Sequence, residues 1–271
     1  MRSKMFFSAL ALGALTTVAR AQPLTIVSNQ PGAFVDISST GNPGTQLILN
    51  DDDEAVINPG IGNAVFPVGT VVVANNGGVA FPSVGGQNDL TPTNHPIPSA
   101  NAFNGRQSLL PFWDDLEGDD FAGLARGGKN GSVWWKVIGS VLYVQWDYRP
   151  VLGGAILGVN ETVRFQLQIF GGVTPAPGAI YAQLIYADIQ QPIPNGGASA
   201  TIGYQNGASD SNDVQWSFNT AGAVSNGTVL SLVQANSIPA VSDAGNVALV
   251  LLFLTAGVLI FRRSRLRTLA T

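Results

Sequence analysis

Five carboxylates crowd into seven residues, Asp114, Asp115, Glu117, Asp119 and Asp120, grouped around Gly118. Clustered oxygen ligands of this kind suit a hard cation such as calcium, which takes about six to eight of them. The spacing is not that of an EF-hand loop, which closes on a glutamate well downstream. The same run also reads as a solvated turn, with Asp114 or Asp115 capping backbone amides after Phe112-Trp113. Calcium is the one cofactor these residues raise. A second run, Asp51-Asp52-Asp53-Glu54, reads as a solvated loop, because consecutive side chains of an extended chain point apart.

Aromatic rings beside amides are a second kind of chemistry, the stacking and hydrogen bonding of a sugar ring. Of Trp113, Trp134, Trp135, Trp146 and Trp216, only Trp134 combines an outward position with polar neighbours, Tyr143 and Gln145. Those three form the candidate ligand platform, against the alternative that an outward tryptophan packs beneath a loop. His95, the single histidine, lies between Pro92 and Pro96, and no Gly-x-Ser-x-Gly elbow accompanies it, so a catalytic triad is weakly supported. Glu54, Glu117, Glu161 and the aspartates leave a two-carboxylate glycosidase formally open without selecting a pair. The expectation is a protein that is not an enzyme.

The elements that would position these groups are short strands. Val133 to Trp146 holds two apolar runs around Gly139-Ser140, a two-residue loop suited to a type II′ hairpin turn. That turn pairs Ile138 with Val141, Val137 with Leu142, Trp135 with Val144 and Val133 with Trp146. One face then collects Val133, Trp135, Val137, Leu142, Val144 and Trp146, and should be core. Thr162 to Phe170 alternates as cleanly, with Val163, Phe165, Leu167 and Ile169 on one side and Arg164, Gln166 and Gln168 on the other. Ala179–Asp188, Ala200–Gln205, Val214–Asn219, Thr228–Val233, Thr70–Ala74 and Val79–Phe81 continue the pattern, the last two flanking Asn75-Asn76-Gly77-Gly78. Ten to twelve strands are expected, in an all-β, antiparallel, jelly-roll-like β-sandwich. A second small domain before residue 60 stays open.

The two ends read as addresses. Arg2 and Lys4, an apolar run from Met5 to Val18 and the small-residue pattern Ala19-Arg20-Ala21 make a secretory signal helix over residues 1–21. Residues 244–261 carry no charge, and Arg262, Arg263, Arg265 and Arg267 follow, the pattern of a C-terminal transmembrane helix with its basic end inside. Between Gln22 and Asn236 there are 6 Lys/Arg against 16 Asp/Glu, a net charge of −10 that repels nucleic-acid phosphates. Cysteine is absent from the sequence, which excludes disulfides and thiolate metal sites.

Several phrases in order carry a resemblance: Asn75-Asn76-Gly77-Gly78, Leu110-Pro111-Phe112-Trp113-Asp114-Asp115-Leu116, Tyr143-Val144-Gln145-Trp146-Asp147, Phe165-Gln166-Leu167-Gln168-Ile169-Phe170 and Ala200-Thr201-Ile202-Gly203-Tyr204-Gln205-Asn206. Over roughly residues 60 to 220 this resembles the nidogen-like β modules of bacterial extracellular proteins. The resemblance implies an antiparallel β fold and an accessory or adhesive role, and it supplies no catalytic residues. Ile238-Pro239 ahead of the apolar run and the arginines is similar to bacterial C-terminal sorting tails, which implies a sorting peptidase as partner.

Together these readings predict a signal peptide over 1–21, an all-β extracellular domain over 22–236 and a sorting or transmembrane tail over 237–271. The expected function is that of an exported cell-surface protein with a non-catalytic structural or adhesion module, located in the cell envelope and held to the membrane by its C-terminal helix. A carbohydrate- or calcium-binding module is the alternative, with a surface glycan or protein as ligand, and a secreted hydrolase ranks below it.

Overall fold

Ile138 pairs with Val141 across Gly139-Ser140, and every cross-strand pair expected of that hairpin is present. Gly139 has φ +60°, as the first position of a type II′ turn requires. Val133, Leu142, Val144 and Trp146 are fully buried, and Trp135 and Val137 pack against the same core. The computed structural model describes residues 23–39, 41, 43–81, 90–118, 132–151, 162–189, 196–207 and 212–235.

Around that hairpin the described residues form thirteen strands. They are β1 (Leu24–Ser28), β2 (Thr45–Leu47), β3 (Glu54–Ile57), β4 (Val71–Ala74), β5 (Gly78–Phe81), β6 (Gln107–Trp113), β7 (Ser132–Ile138), β8 (Val141–Pro150), β9 (Thr162–Phe170), β10 (Ile180–Asp188), β11 (Thr201–Gln205), β12 (Val214–Phe218) and β13 (Val229–Gln234). Two antiparallel sheets result, in the orders β1-β13-β10-β9-β8-β7-β2 and β12-β11-β6-β5-β4-β3. Residues before position 60 contribute strands to both sheets. Consecutive strands pair at three of the six pairings in the first sheet and four of the five in the second, a largely meandering layout in place of the jelly-roll-like order expected.

The core lies between the sheets. Phe165 of β9 stacks on Trp146 with ring centroids 4.9 Å apart and meets Phe112 of the opposite sheet at 5.5 Å. Two buried polar groups also cross the gap: Trp146 Nε1 donates to Ala74 O at 3.0 Å, and the Tyr186 hydroxyl donates to Pro111 O at 2.6 Å. Burial holds the Tyr186 phenol well above its ordinary pKa, so it remains a donor.

The helices expected at the two ends are not borne out. Among the described residues the helical content is one 3₁₀ turn, Phe103–Gly105, and no helix is long and apolar enough to cross a membrane. The segments 1–21 and 237–271, on which the signal helix, the transmembrane helix and the sorting motif were read, lie outside the described residues. A run of uncharged residues followed by arginines is a hydropathy pattern, and hydropathy alone does not establish a spanning helix. Among the described residues the fold is two antiparallel sheets. The membrane partner, the anchored surface role, the single-pass topology and the cell-envelope location, all of which rested on that helix, do not stand.

The outer faces of both sheets are roofed by chain running across them, which alternation did not foresee. Residues 31–37 cross β10, β9 and β8, and four outward glutamines hold their backbone at every second residue. Gln183 Nε2 donates to Pro31 O at 2.9 Å and Gln168 Nε2 to Ala33 O at 2.8 Å. Gln166 both donates to Val35 O at 2.6 Å and accepts from Val35 N at 3.1 Å. Gln145 Oε1 accepts from Ile37 N at 3.0 Å. Arg164 fastens the end of the strap through Asp36 at 2.8 Å and Asp147 at 2.5 Å, beneath the Phe34 ring. On the other sheet Gln205 accepts from Ser99 N at 2.6 Å and Gln215 from Ile97 N at 2.9 Å, fixing a second strap.

A Gln166→Leu substitution would remove both bonds to Val35, leaving its half-buried N–H and C=O unpaired, together with the bonds to Gln145 and Gln168. The expected cost is about 2–4 kcal/mol in urea unfolding, with faster amide exchange across residues 31–38 in mass-spectrometric hydrogen exchange. Unchanged exchange there would show that the glutamines do not hold the strap.

Candidate metal centre

The loop between β4 and β5 is the three-residue turn Asn75-Asn76-Gly77, and it is buried, with Asn75 and Asn76 at 0% and 1% exposure. Gly77 has φ +80°, and a Cβ built there would sit 1.9 Å from Phe112 O, so only glycine fits. With the chain pressed against β6, the asparagines act as connectors. Asn76 Oδ1 accepts from Leu116 N at 2.9 Å, while its Nδ2 donates to Asp52 Oδ1 at 2.7 Å. Asn75 Nδ2 donates to Leu116 O, and Asn75 N donates to Asp53 O at 2.9 Å. The loop before β3 and the segment after β6 are thereby tied to one turn.

The consequence is a carboxylate cluster. Asp51, Asp52 and Asp115 each present an oxygen, and these atoms lie within 4.8 Å of one another. Asp52 sits in a left-handed turn conformation (φ 57°), which is why two consecutive aspartates here can face the same point. Burial raises the Asp115 pKa to about 6, with repulsion from Asp51, Asp52 and Asp114 adding to it. Asp114 is also pushed up to about 6, by burial, against the opposing pull of the Ser199 hydroxyl at 2.6 Å and the Asp115 amide at 3.0 Å.

Of the five carboxylates singled out from the sequence, Asp115 belongs to this cluster. Asp114 is buried against Ser199, and Glu117 is buried outside the group of three. Asp119 and Asp120 lie outside the described residues. Asp51 and Asp52, assigned to a solvated loop, supply the other two ligand atoms. What brings them in is the buried Asn75-Asn76 turn, read from the sequence only as a hairpin, which joins segments that sequence order keeps apart.

The sugar platform is not assembled as expected. Trp134 and Tyr143 are half-buried, and Gln145 is completely buried under the strap, where Nε2 donates to Asp36, Ser38 and Asp147. His95 lies in the second strap, 6.2 Å from the Trp113 ring, and its carbonyl accepts from Thr201 Oγ1 at 2.9 Å. Glu54 of β3 accepts from Leu90 N at 2.8 Å, and burial raises its pKa. Glu161 is outside the described residues. No family model, curated protein or solved structure matches the chain.

An acid whose pKa is higher folded than unfolded binds its proton more tightly in the native state, so its stability contribution is lost as pH rises. Without divalent cations, Asp114 and Asp115 should therefore make the protein less stable between about pH 4 and pH 6. Urea midpoints measured across that window should fall, and Asp115→Asn should flatten part of the slope. A midpoint that rises throughout would refute the repulsive cluster.

Proposed function

We propose that the all-β domain is a non-catalytic module of the nidogen-like kind that binds calcium through Asp51, Asp52 and Asp115. The observation that carries this reading is the convergence of three carboxylates within 4.8 Å. Two oxygens bound to one calcium at about 2.4 Å lie no more than about 4.8 Å apart, so the cluster has the right span before any rearrangement. Three like charges held together by buried connectors repel one another, and a divalent cation converts that repulsion into attraction. The ligand set is hard oxygen throughout, which favours calcium over softer metals. A non-catalytic reading is supported by the structural work its buried acids do: Asp114 binds Ser199, and Glu54 binds the Leu90 amide.

A cation that binds only the folded state must raise its melting temperature. At free calcium about 100 times Kd, the gain is about 2.7 kcal/mol, corresponding to about 5–10 °C for a domain of this size. Asp115→Asn and Asp51→Asn should each remove most of that shift. Calorimetric scans at millimolar calcium would test it, with magnesium as the comparison. No shift in the unsubstituted protein would end the proposal.

A further inference from the structure

At the opposite end of β6 from the acidic cluster, the two sheets part around a cleft of about 340 Å³. That size lies at the lower end of small-molecule sites, which run from about 300 to 1,000 Å³. Its lining carries no ionisable acid or base other than two phenols, and a tyrosine–glutamine pair from each sheet supplies polar groups, with Asn206 and Asn212 beside the second pair. On the first sheet the Tyr181 hydroxyl donates to Gln234 Oε1 at 2.8 Å. On the second, Gln107 Nε2 donates to the Tyr204 oxygen at 2.8 Å, and the Tyr204 hydroxyl donates in turn to Asn206 Oδ1 at 2.7 Å. Leu24, Val65 and Pro175 supply the apolar part of the wall.

Each pair is oriented by an internal hydrogen bond that leaves capacity over. Among the described residues, no group binds Gln234 Nε2, a donor, or Gln107 Oε1, an acceptor, and the Tyr181 oxygen retains its acceptor lone pairs. Burial raises the Tyr181 pKa, which keeps the phenol protonated. An ion would enter such a cleft without a countercharge and lose its hydration, whereas a neutral ligand with hydroxyls on both sides of an apolar ring would not. We infer that this cleft binds a neutral pyranose unit between Gln234 and Tyr181 on one sheet and Gln107 on the other. The site is independent of the acidic cluster and does not require calcium.

The test is saturation-transfer NMR and calorimetric titration of the full chain with methyl glucoside, methyl galactoside, methyl N-acetylglucosaminide and, for comparison, methyl glucuronide and sialic acid. At least one neutral glycoside should bind, and both acids should bind at least about tenfold more weakly. Gln234→Leu should weaken the neutral glycoside by about tenfold, as expected for the loss of one well-oriented hydrogen bond. Ala64, exposed at the mouth of the cleft, provides a second variant that leaves the core intact, and Ala64→Phe should block binding. Failure of every neutral glycoside at 10 mM (a concentration of roughly 10⁻² M), equal binding of the acids, or binding that survives both substitutions would overturn the proposal.

Discussion

A backbone that crosses a sheet cannot pair with its strands, yet once it is buried its N–H and C=O groups must still find partners. This protein meets that constraint with glutamine. Gln183 and Gln168 sit directly opposite each other on β10 and β9, and Gln166 and Gln145 do so on β9 and β8. Gln168 donates to Gln166 at 2.8 Å, and Gln166 to Gln145 at 3.3 Å, so three of the four amides form a connected row, and Gln183 extends it in position while bonding to Ser231 at 3.0 Å. A side-chain amide carries the same donor and acceptor as a peptide, and the row behaves as a crosswise strand. Residues 31, 33, 35 and 37 bind it with the period of an extended chain. Without the row, Ile37 would leave a buried N–H unpaired at about 1–3 kcal/mol, and the half-buried and exposed residues before it would lose the bonds that hold them to the sheet.

Roofing both sheets has a further effect on where chemistry can happen. A bare outer face is the usual place for an aromatic platform, and here the face containing Gln145 is closed by residues 31–37. The ends of the sandwich, where strands turn and sheets part, remain accessible. β6 connects the two: Gln107 at its start lines the polar cleft, and Asp115 just after its finish joins the carboxylate cluster. A disturbance of β6 would reach both. The buried Gly77 turn presses on Phe112 in the middle of this strand's second half, which makes that contact central to the geometry of the acidic end.

The register of β7 and β8 was legible because a two-residue turn fixes pairing and alternation then fixes the faces. β9 and β10 were legible by alternation alone, with Val163, Phe165, Leu167 and Ile169 all in the core, while the longer loop between them left their register unread. What alternation does not specify is whether the second face is wet. Gln166 and Gln168 look like solvent-facing residues in sequence and are buried in fact, because their partner is a segment more than a hundred residues away. β1, β2 and β3 were missed because they are short and carry no clean period of two, and pairing with longer strands stabilises them. The terminal helices were read from hydropathy, with no described residue to carry them.

The acidic cluster shows the same boundary between local and distant information. The five-carboxylate run after β6 drew attention because its charges are consecutive, but consecutive charges on an extended chain diverge. Convergence needed a turn conformation at Asp52 and a buried asparagine whose bonds reach 24 residues back and 40 residues forward. A buried amide that binds one carboxylate and one backbone amide is costly to hold out of water unless both partners are fixed, so its burial marks the place where loops have been fastened together. Holding the loops this firmly prevents the three aspartates from relieving their repulsion by moving apart. Protonation or a bound cation relieves that repulsion in place, without any movement of the loops.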